Sequence, residues 1–113
     1  MKPITTITNI TIEQGSDNPY TDLGRPDADE MLVKAKLANE ISQIIKSKHL
    51  TQQRAAELLS MTQPKLSELL RGKFRGISQA KMIECLNRLG RDVEIVVKKA
   101  SRRTLGHTRV MVA

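Results

Sequence analysis

The chain has 113 residues, of which 19 are Lys or Arg and 12 are Asp or Glu, giving a net charge of +7. This length suffices for one domain with one modest core. Tyr20 and Phe74 are its two aromatic residues, which disfavours binding of single-stranded nucleic acid by aromatic stacking. No run approaches the ~18 apolar residues of a membrane span. The first residues lack a signal-peptide pattern, so we expect a cytoplasmic protein with no membrane partner.

Charge divides the chain into an acidic and a basic part. Residues 1–30 hold two basic and six acidic residues, a net charge of −4, whereas residues 31–113 hold 17 and six, a net charge of +11. A basic body favours a polyanionic partner, and nucleic acid is the first candidate. A solvated basic surface without a partner is the alternative that charge leaves open.

The first 30 residues predict an arm rather than part of a helical body. Residues 1–12 are rich in Ile and Thr, which is typical of a β-strand. Residues 13–30 contain Gly, Pro, Asn and Asp throughout and predict an extended acidic arm that leads into a helix at PDADE.

Helical periodicity begins at Met31 and predicts a helix-turn-helix domain over residues 31–91. A first helix ends at KSKHL and has one apolar stripe, formed by Leu37, Ile41, Ile44 and Ile45. A second helix is expected after Thr51 and a fourth after Ser78, because both side chains are good N-caps. Gly90 is expected to end the fourth.

The segment SMTQPKLSELLRG, residues 60–72, predicts the third helix although it contains a proline. Proline is tolerated in a first helical turn, because the N–H groups there have no intrahelical partner. We therefore place the cap at Thr62 or Gln63, with Pro64 as the first or second helical residue. Gly72 can adopt the left-handed conformation that ends a helix.

Beyond the fourth helix the apolar period changes to two, which predicts a strand over residues 92–100. Val93, Ile95 and Val97 would share one face of it and form a dimerisation surface. A lone strand cannot satisfy its own edges. Its partner is either residues 4–12 or the same strand in a second subunit, and one mixed sheet could hold both. The basic and then weakly apolar residues 101–113 predict a tail.

The second and third helices have the spacing and residue types of a helix-turn-helix. Ala56 is small where the two helices must touch, and further apolar contacts are expected from Ala55, Leu59, Met61, Leu66 and Leu69. An ordinary helical hairpin with polar outer residues is the alternative. The basic charge and the long hydrogen-bonding side chains at the start of the third helix favour DNA binding.

The stretch LTQQRAAELLSMTQPKLSELLRGKF resembles the helix-turn-helix of the phage-repressor (XRE) class. TDLGRPDADEMLVKAKLANEI and CLNRLGRDVEIVVK extend the resemblance over about residues 20–100, to the small HigA-like subgroup of antitoxins and stand-alone regulators. It implies a mainly α, lambda-repressor-like bundle of four or five helices with a C-terminal β-strand that pairs two subunits. Ser60 departs from the class, which usually has glycine there; serine can take that turn at some strain.

The resemblance also implies site residues. Gln52 matches a phosphate-binding position at the start of the second helix, and Gln63 matches a base-reading position whose amide can pair with adenine. Lys65, Ser67 and Glu68 lie further along the groove-facing side. Phosphate-clamping positions are matched by Arg71, Lys73 and Arg75.

Two alternatives for these site residues remain open. Lys65 can bind guanine or only a phosphate, and Glu68 can accept from cytosine or form an ion pair with Lys65 or Arg71.

No catalytic or metal-binding constellation is evident, so we expect neither an enzyme nor a cofactor. His49 and His107 are isolated, Cys85 is expected to be a buried structural thiol, and Asp29 and Glu30 suit a helix start.

We expect a DNA-binding homodimer on a palindromic double-stranded operator. Three interpretations are open: an antitoxin that binds a small basic ribonuclease-type toxin through its acidic arm and represses its own operon, a stand-alone repressor, or an interaction module that has lost DNA binding.

Overall fold

The computed structural model describes residues 28–100 and 105–113. These residues contain four α-helices: α1 (Ala28–Ser47), α2 (Gln52–Leu58), α3 (Gln63–Leu70) and α4 (Gln79–Arg88). They correspond to the four helices predicted from the sequence. The segment expected to pair as a strand, residues 4–12, and nearly all of the acidic arm lie outside the described residues. Among the described helices, none is both long and apolar enough to cross a membrane.

Three of the helices begin with a hydroxyl cap. The side chains of Thr51, Thr62 and Ser78 each accept a hydrogen bond from the N–H three residues later, at 3.1, 3.2 and 3.0 Å. The caps predicted at Thr51 and Ser78 are therefore confirmed. For α3 the cap is Thr62, and Pro64 is the second helical residue, where its missing N–H costs no helical hydrogen bond.

All four helices end in the same way, with one residue in the left-handed conformation. These residues are His49, Ser60, Gly72 and Gly90, with φ of 56°, 55°, 86° and 89°. In each case the next N–H donates to the carbonyl five residues earlier, at 2.8 to 3.1 Å, which is the Schellman motif. Glycine adopts this conformation freely, whereas Ser60 carries the Cβ penalty that was expected of it.

The core of the unit Lys34–Val93 is built from all four helices. Its most completely buried side chains are those of Ile41, Leu59, Leu66, Leu69, Met82, Leu89 and Cys85. Ala55 and Ala56 are buried on α2, and the small side chain of Ala56 is where the sequence predicted it. Burial raises the pKa of the Cys85 thiol, in keeping with the structural role expected for it.

Glu84 on α4 forms ion pairs with two basic residues of the same helix. Oε2 of Glu84 lies 2.9 Å from Nε of Arg88 and 3.6 Å from Nζ of Lys81. The hydrogen bond from Arg88, followed by the charge of Lys81, lowers the pKa of Glu84 below its ordinary value of 4.5.

The strand predicted over residues 92–100 is not what the structure shows. Residues 91–100 have no regular secondary structure. Val93 is half-buried, whereas Ile95 and Val97 are 79% and 92% exposed. Alternation of apolar residues favours a strand only where a second strand supplies hydrogen bonds. One candidate partner, residues 4–12, lies outside the described residues, and the other is a second copy of the chain.

Of the predicted tail, residues 101–113, the structure describes residues 105–113. Residues 105–113 have no regular secondary structure. His107 was predicted to be isolated, but its Nδ1 lies 2.7 Å from Oδ2 of Asp29 in the first turn of α1.

Replacing Gly72 by alanine should lower the free energy of unfolding by about 1 kcal/mol, because an L-residue is strained at positive φ. The effect would be conformational rather than steric, since a Cβ at Gly72 meets no atom within 4 Å. Gly76→Ala is the matched control: Gly76 has equal space but no positive φ. Urea unfolding measures both, and equal losses for the two variants would contradict the explanation.

The ion pairs of Glu84 should make stability depend on pH. Because the folded-state pKa is depressed, their contribution is present above the unfolded value and is lost as the pH falls through the folded value. The difference in unfolding free energy between the wild type and Glu84→Gln should therefore be larger at about pH 7 than at about pH 3. High salt at neutral pH should also reduce the difference. A difference that stays constant over this range would argue against the ion pairs.

Candidate nucleic-acid interface

The turn between α2 and α3 sets the direction of α3. It begins with the left-handed Ser60 and ends at Thr62, whose φ of −73° and ψ of 152° are extended. Leu66 and Leu69 then anchor α3, because both are buried on its inner side. The position of these two leucines leaves the opposite side of α3 open to solvent.

The four predicted base-reading residues all lie on α3. Gln63, Lys65 and Glu68 are exposed and Ser67 is half-buried. At about 100° per residue, Gln63 and Lys65 fall on opposite edges of the exposed face. Glu68 lies nearer its centre.

Pro64 lies at the centre of the exposed face of α3, although the sequence-based set of reading residues omits it. Its ring is exposed, and helical spacing puts it on the side opposite Leu66 and Leu69. Proline has no N–H, so it can offer only an apolar contact such as one with a thymine methyl. The spacing of Leu66 and Leu69 in the sequence is enough to place Pro64 on the exposed side of α3.

The carboxylate of Glu68 is not held by its basic neighbours. In the described part of the chain, no ion pair joins Glu68 to Lys65 or to Arg71. Nε of Arg71 instead donates to the carbonyl of Ser67 at 3.3 Å. Glu68 can therefore act as an acceptor at the surface, and the ion-pair alternative is not what this structure contains.

The predicted phosphate-binding residues lie at two places. Arg71, Lys73 and Arg75 follow α3 directly and are exposed. Gln52, also exposed, is the first residue of α2, next to the Thr51 cap. Residues 63–75 contain four basic residues and one acidic residue, so α3 and the loop after it form a basic surface.

The loop after α3 is anchored to the core by buried side chains and a hydrogen bond. Phe74 and Ile77 are buried, and Nζ of Lys34 donates to the carbonyl of Arg75 at 2.9 Å. Only 4% of Lys34 is exposed. The sequence analysis assigns Lys34 no role. Its position on the apolar stripe of α1, three residues before Leu37, nevertheless indicates that its side chain faces the core.

The arrangement offers hydrogen-bonding groups rather than reactive ones. Among residues 28–100 and 105–113, no group of His, Cys, Asp and Glu side chains could hold a metal ion. A helix with exposed amide, ammonium and carboxylate groups, followed by a basic loop, fits the major groove and the phosphates beside it.

Comparison with known proteins agrees with this geometry. Residues 19–98 match the sequence model of a helix-turn-helix domain family. A solved structure described as an XRE family transcriptional regulator is 38% identical to the chain, with a TM-score of 0.72; the match covers 78% of this chain and 100% of that one. No curated protein matches the chain significantly. The chain therefore belongs to the XRE family of helix-turn-helix proteins.

Proposed function

We propose that the protein is a transcriptional regulator that reads double-stranded DNA with α3. The observation that carries this proposal is the exposed polar face of α3. This face lies within a basic surface, and a short turn connects α3 to α2. Membership of the XRE family supports DNA binding and transcriptional regulation as the general function.

The residues of α3 divide the reading of base edges between them. Gln63 can make two hydrogen bonds to adenine, Lys65 can donate to guanine, and Glu68 can accept from the amino group of cytosine. Ser67 can donate or accept, although its half-buried side chain has a shorter reach. Pro64 supplies the apolar contact between them.

Residues outside α3 hold the DNA without reading its sequence. Gln52, Arg71, Lys73 and Arg75 are assigned to phosphates, where cations add affinity and salt dependence but no base preference. Lys34 supports this set from inside the core, through its hydrogen bond to the carbonyl of Arg75.

We further propose that two copies bind a palindromic operator. One helix-turn-helix reads only a few base pairs, and proteins of this type reach two half-sites about one DNA turn apart. The exposed side chains of Ile95 and Val97, in alternation with Val93, support pairing of residues 92–98 with the same segment of a second copy.

The acidic arm supports a more specific role as the antitoxin of a toxin–antitoxin pair that represses its own operon. With a net charge of −4 over residues 1–30, it has the charge to bind a small basic ribonuclease-type toxin. A stand-alone repressor and an interaction module without DNA binding are the competing functions, and the experiments below separate them.

Changing Gln63 and Lys65 together to alanine should weaken specific DNA binding by at least about tenfold, since each paired contact to a base contributes ~1–3 kcal/mol. The probe is a duplex that the wild-type protein selects from a random-sequence library, and the same titration should give two chains per duplex. The control is Gln43→Ala with Lys46→Ala, two exposed residues of the same types on α1. Equal affinity of the two double variants would refute the assignment of α3, and failure to select any sequence would favour the interaction module.

Co-expression with a small basic protein encoded beside its gene should give a stable complex if the protein is an antitoxin. Deletion of residues 1–30 should then weaken the complex, and high salt should do the same, because the proposed contact is electrostatic. Pull-down and calorimetry measure both effects. A complex that survives the deletion would exclude the arm as the binding surface, and no complex at all would favour the stand-alone repressor.

A further inference from the structure

Two cations of α4 bind the carbonyl groups at the end of α2. Nζ of Lys81 donates to the carbonyl of Leu59 at 3.1 Å, and Nη1 of Arg88 donates to the carbonyl of Leu58 at 3.4 Å. The last carbonyls of a helix have no intrahelical partner and carry partial negative charge. The two cations therefore satisfy groups that lie immediately before the turn into α3.

A third contact from the same face of α4 reaches the turn itself. The thiol of Cys85 lies 3.8 Å from the thioether sulfur of Met61. Lys81, Cys85 and Arg88 are spaced by four and three residues, so they form one stripe along α4. This stripe contacts the turn at the residues on both sides of the strained Ser60.

Of the two cations, Lys81 is the better placed to fix the turn. Its contact to a carbonyl is shorter than that of Arg88, and its side chain is 28% exposed compared with 43%. Glu84 lies between them on α4 and forms an ion pair with each. An ammonium group with these two partners is poorly placed to bind a DNA phosphate.

We propose that Lys81 is a positioning residue for DNA reading. By holding the end of α2 it fixes the turn at Ser60 and so the angle at which α3 is presented to base edges. The inference rests on the proposed function of α3 and adds to it a residue that touches no DNA. Base contacts depend on alignment, whereas phosphate contacts tolerate small shifts, so loss of Lys81 affects specific binding more than non-specific binding.

The test measures specific and non-specific affinity of Lys81→Met as a function of salt. The specific probe is a duplex selected by the wild-type protein from a random library, and the non-specific probe is the same duplex with its sequence scrambled. We expect specific affinity to fall about tenfold, through misalignment of one or more base contacts. Non-specific affinity should change by less than about twofold, and the slope of log K against log salt should stay the same.

The matched control is Lys73→Met, the same substitution at an exposed lysine assigned to phosphate. It should weaken both probes and flatten the slope by about one unit. Lys81→Arg keeps a donor and a positive charge, so it should recover most of the specific affinity. A Lys81→Met protein that keeps wild-type specificity, or that loses one unit of slope, would overturn the positioning role.

Circular dichroism establishes whether Lys81→Met is folded. If it is not, Lys81→Gln decides, because it removes the positive charge that binds the carbonyl of Leu59 while keeping a polar side chain at this half-exposed position. A two- to threefold fall in the ratio of specific to non-specific affinity supports the role, and an unchanged ratio overturns it. If the wild-type protein selects no sequence, the proposed function itself fails. If it selects one and the variants bind that sequence with wild-type affinity, only the positioning role fails.

Discussion

The turn between α2 and α3 is the constraint on which the proposed DNA surface depends. Its first residue, Ser60, has a φ of 55°, a conformation that costs an L-residue ~1–2 kcal/mol. The surrounding contacts offset this cost: the N–H of Met61 bonds to the carbonyl of Ala56 at 2.9 Å, and α4 binds the carbonyls of Leu58 and Leu59. Beyond this turn, Leu66 and Leu69 of α3 are buried in the core.

The ends of the helices could be predicted from the sequence because they are decided locally. Thr51, Ser78 and Gly72 act through groups no more than five residues away, so a short window contains both partners of each bond. Pro64 is local in the same sense, since its effect depends only on its place in the first turn. The choice between Thr62 and Gln63 as the cap was left open because either residue has an acceptor side chain.

The features that could not be predicted are those decided by distant partners. Lys34 bonds to a carbonyl 41 residues away and Lys81 to one 22 residues away. The apolar stripe of α1 indicates that Lys34 is buried, but no period or cap identifies the partner of either lysine. The strand expected over residues 92–100 is absent from the single chain for the same reason. Apolar alternation describes which side chains would share a face, but a second strand must supply the hydrogen bonds.

Some cations of the chain bind backbone carbonyls within the domain, and others remain at the surface. The net charge alone therefore does not give the number of cations available to DNA. A net charge of +7 favours attraction to DNA at long range. Lys34, Lys81 and Arg88, however, donate to backbone carbonyls within the domain. Because counterion release follows the number of phosphates neutralised, the proposed phosphate contacts are assigned to other cations, which are exposed and follow α3. In the proposed function, strength and selectivity of binding therefore depend on Gln52 and on the exposed groups of α3 and its following loop. Lys34, Lys81 and Arg88 instead bind the backbone that supports these groups.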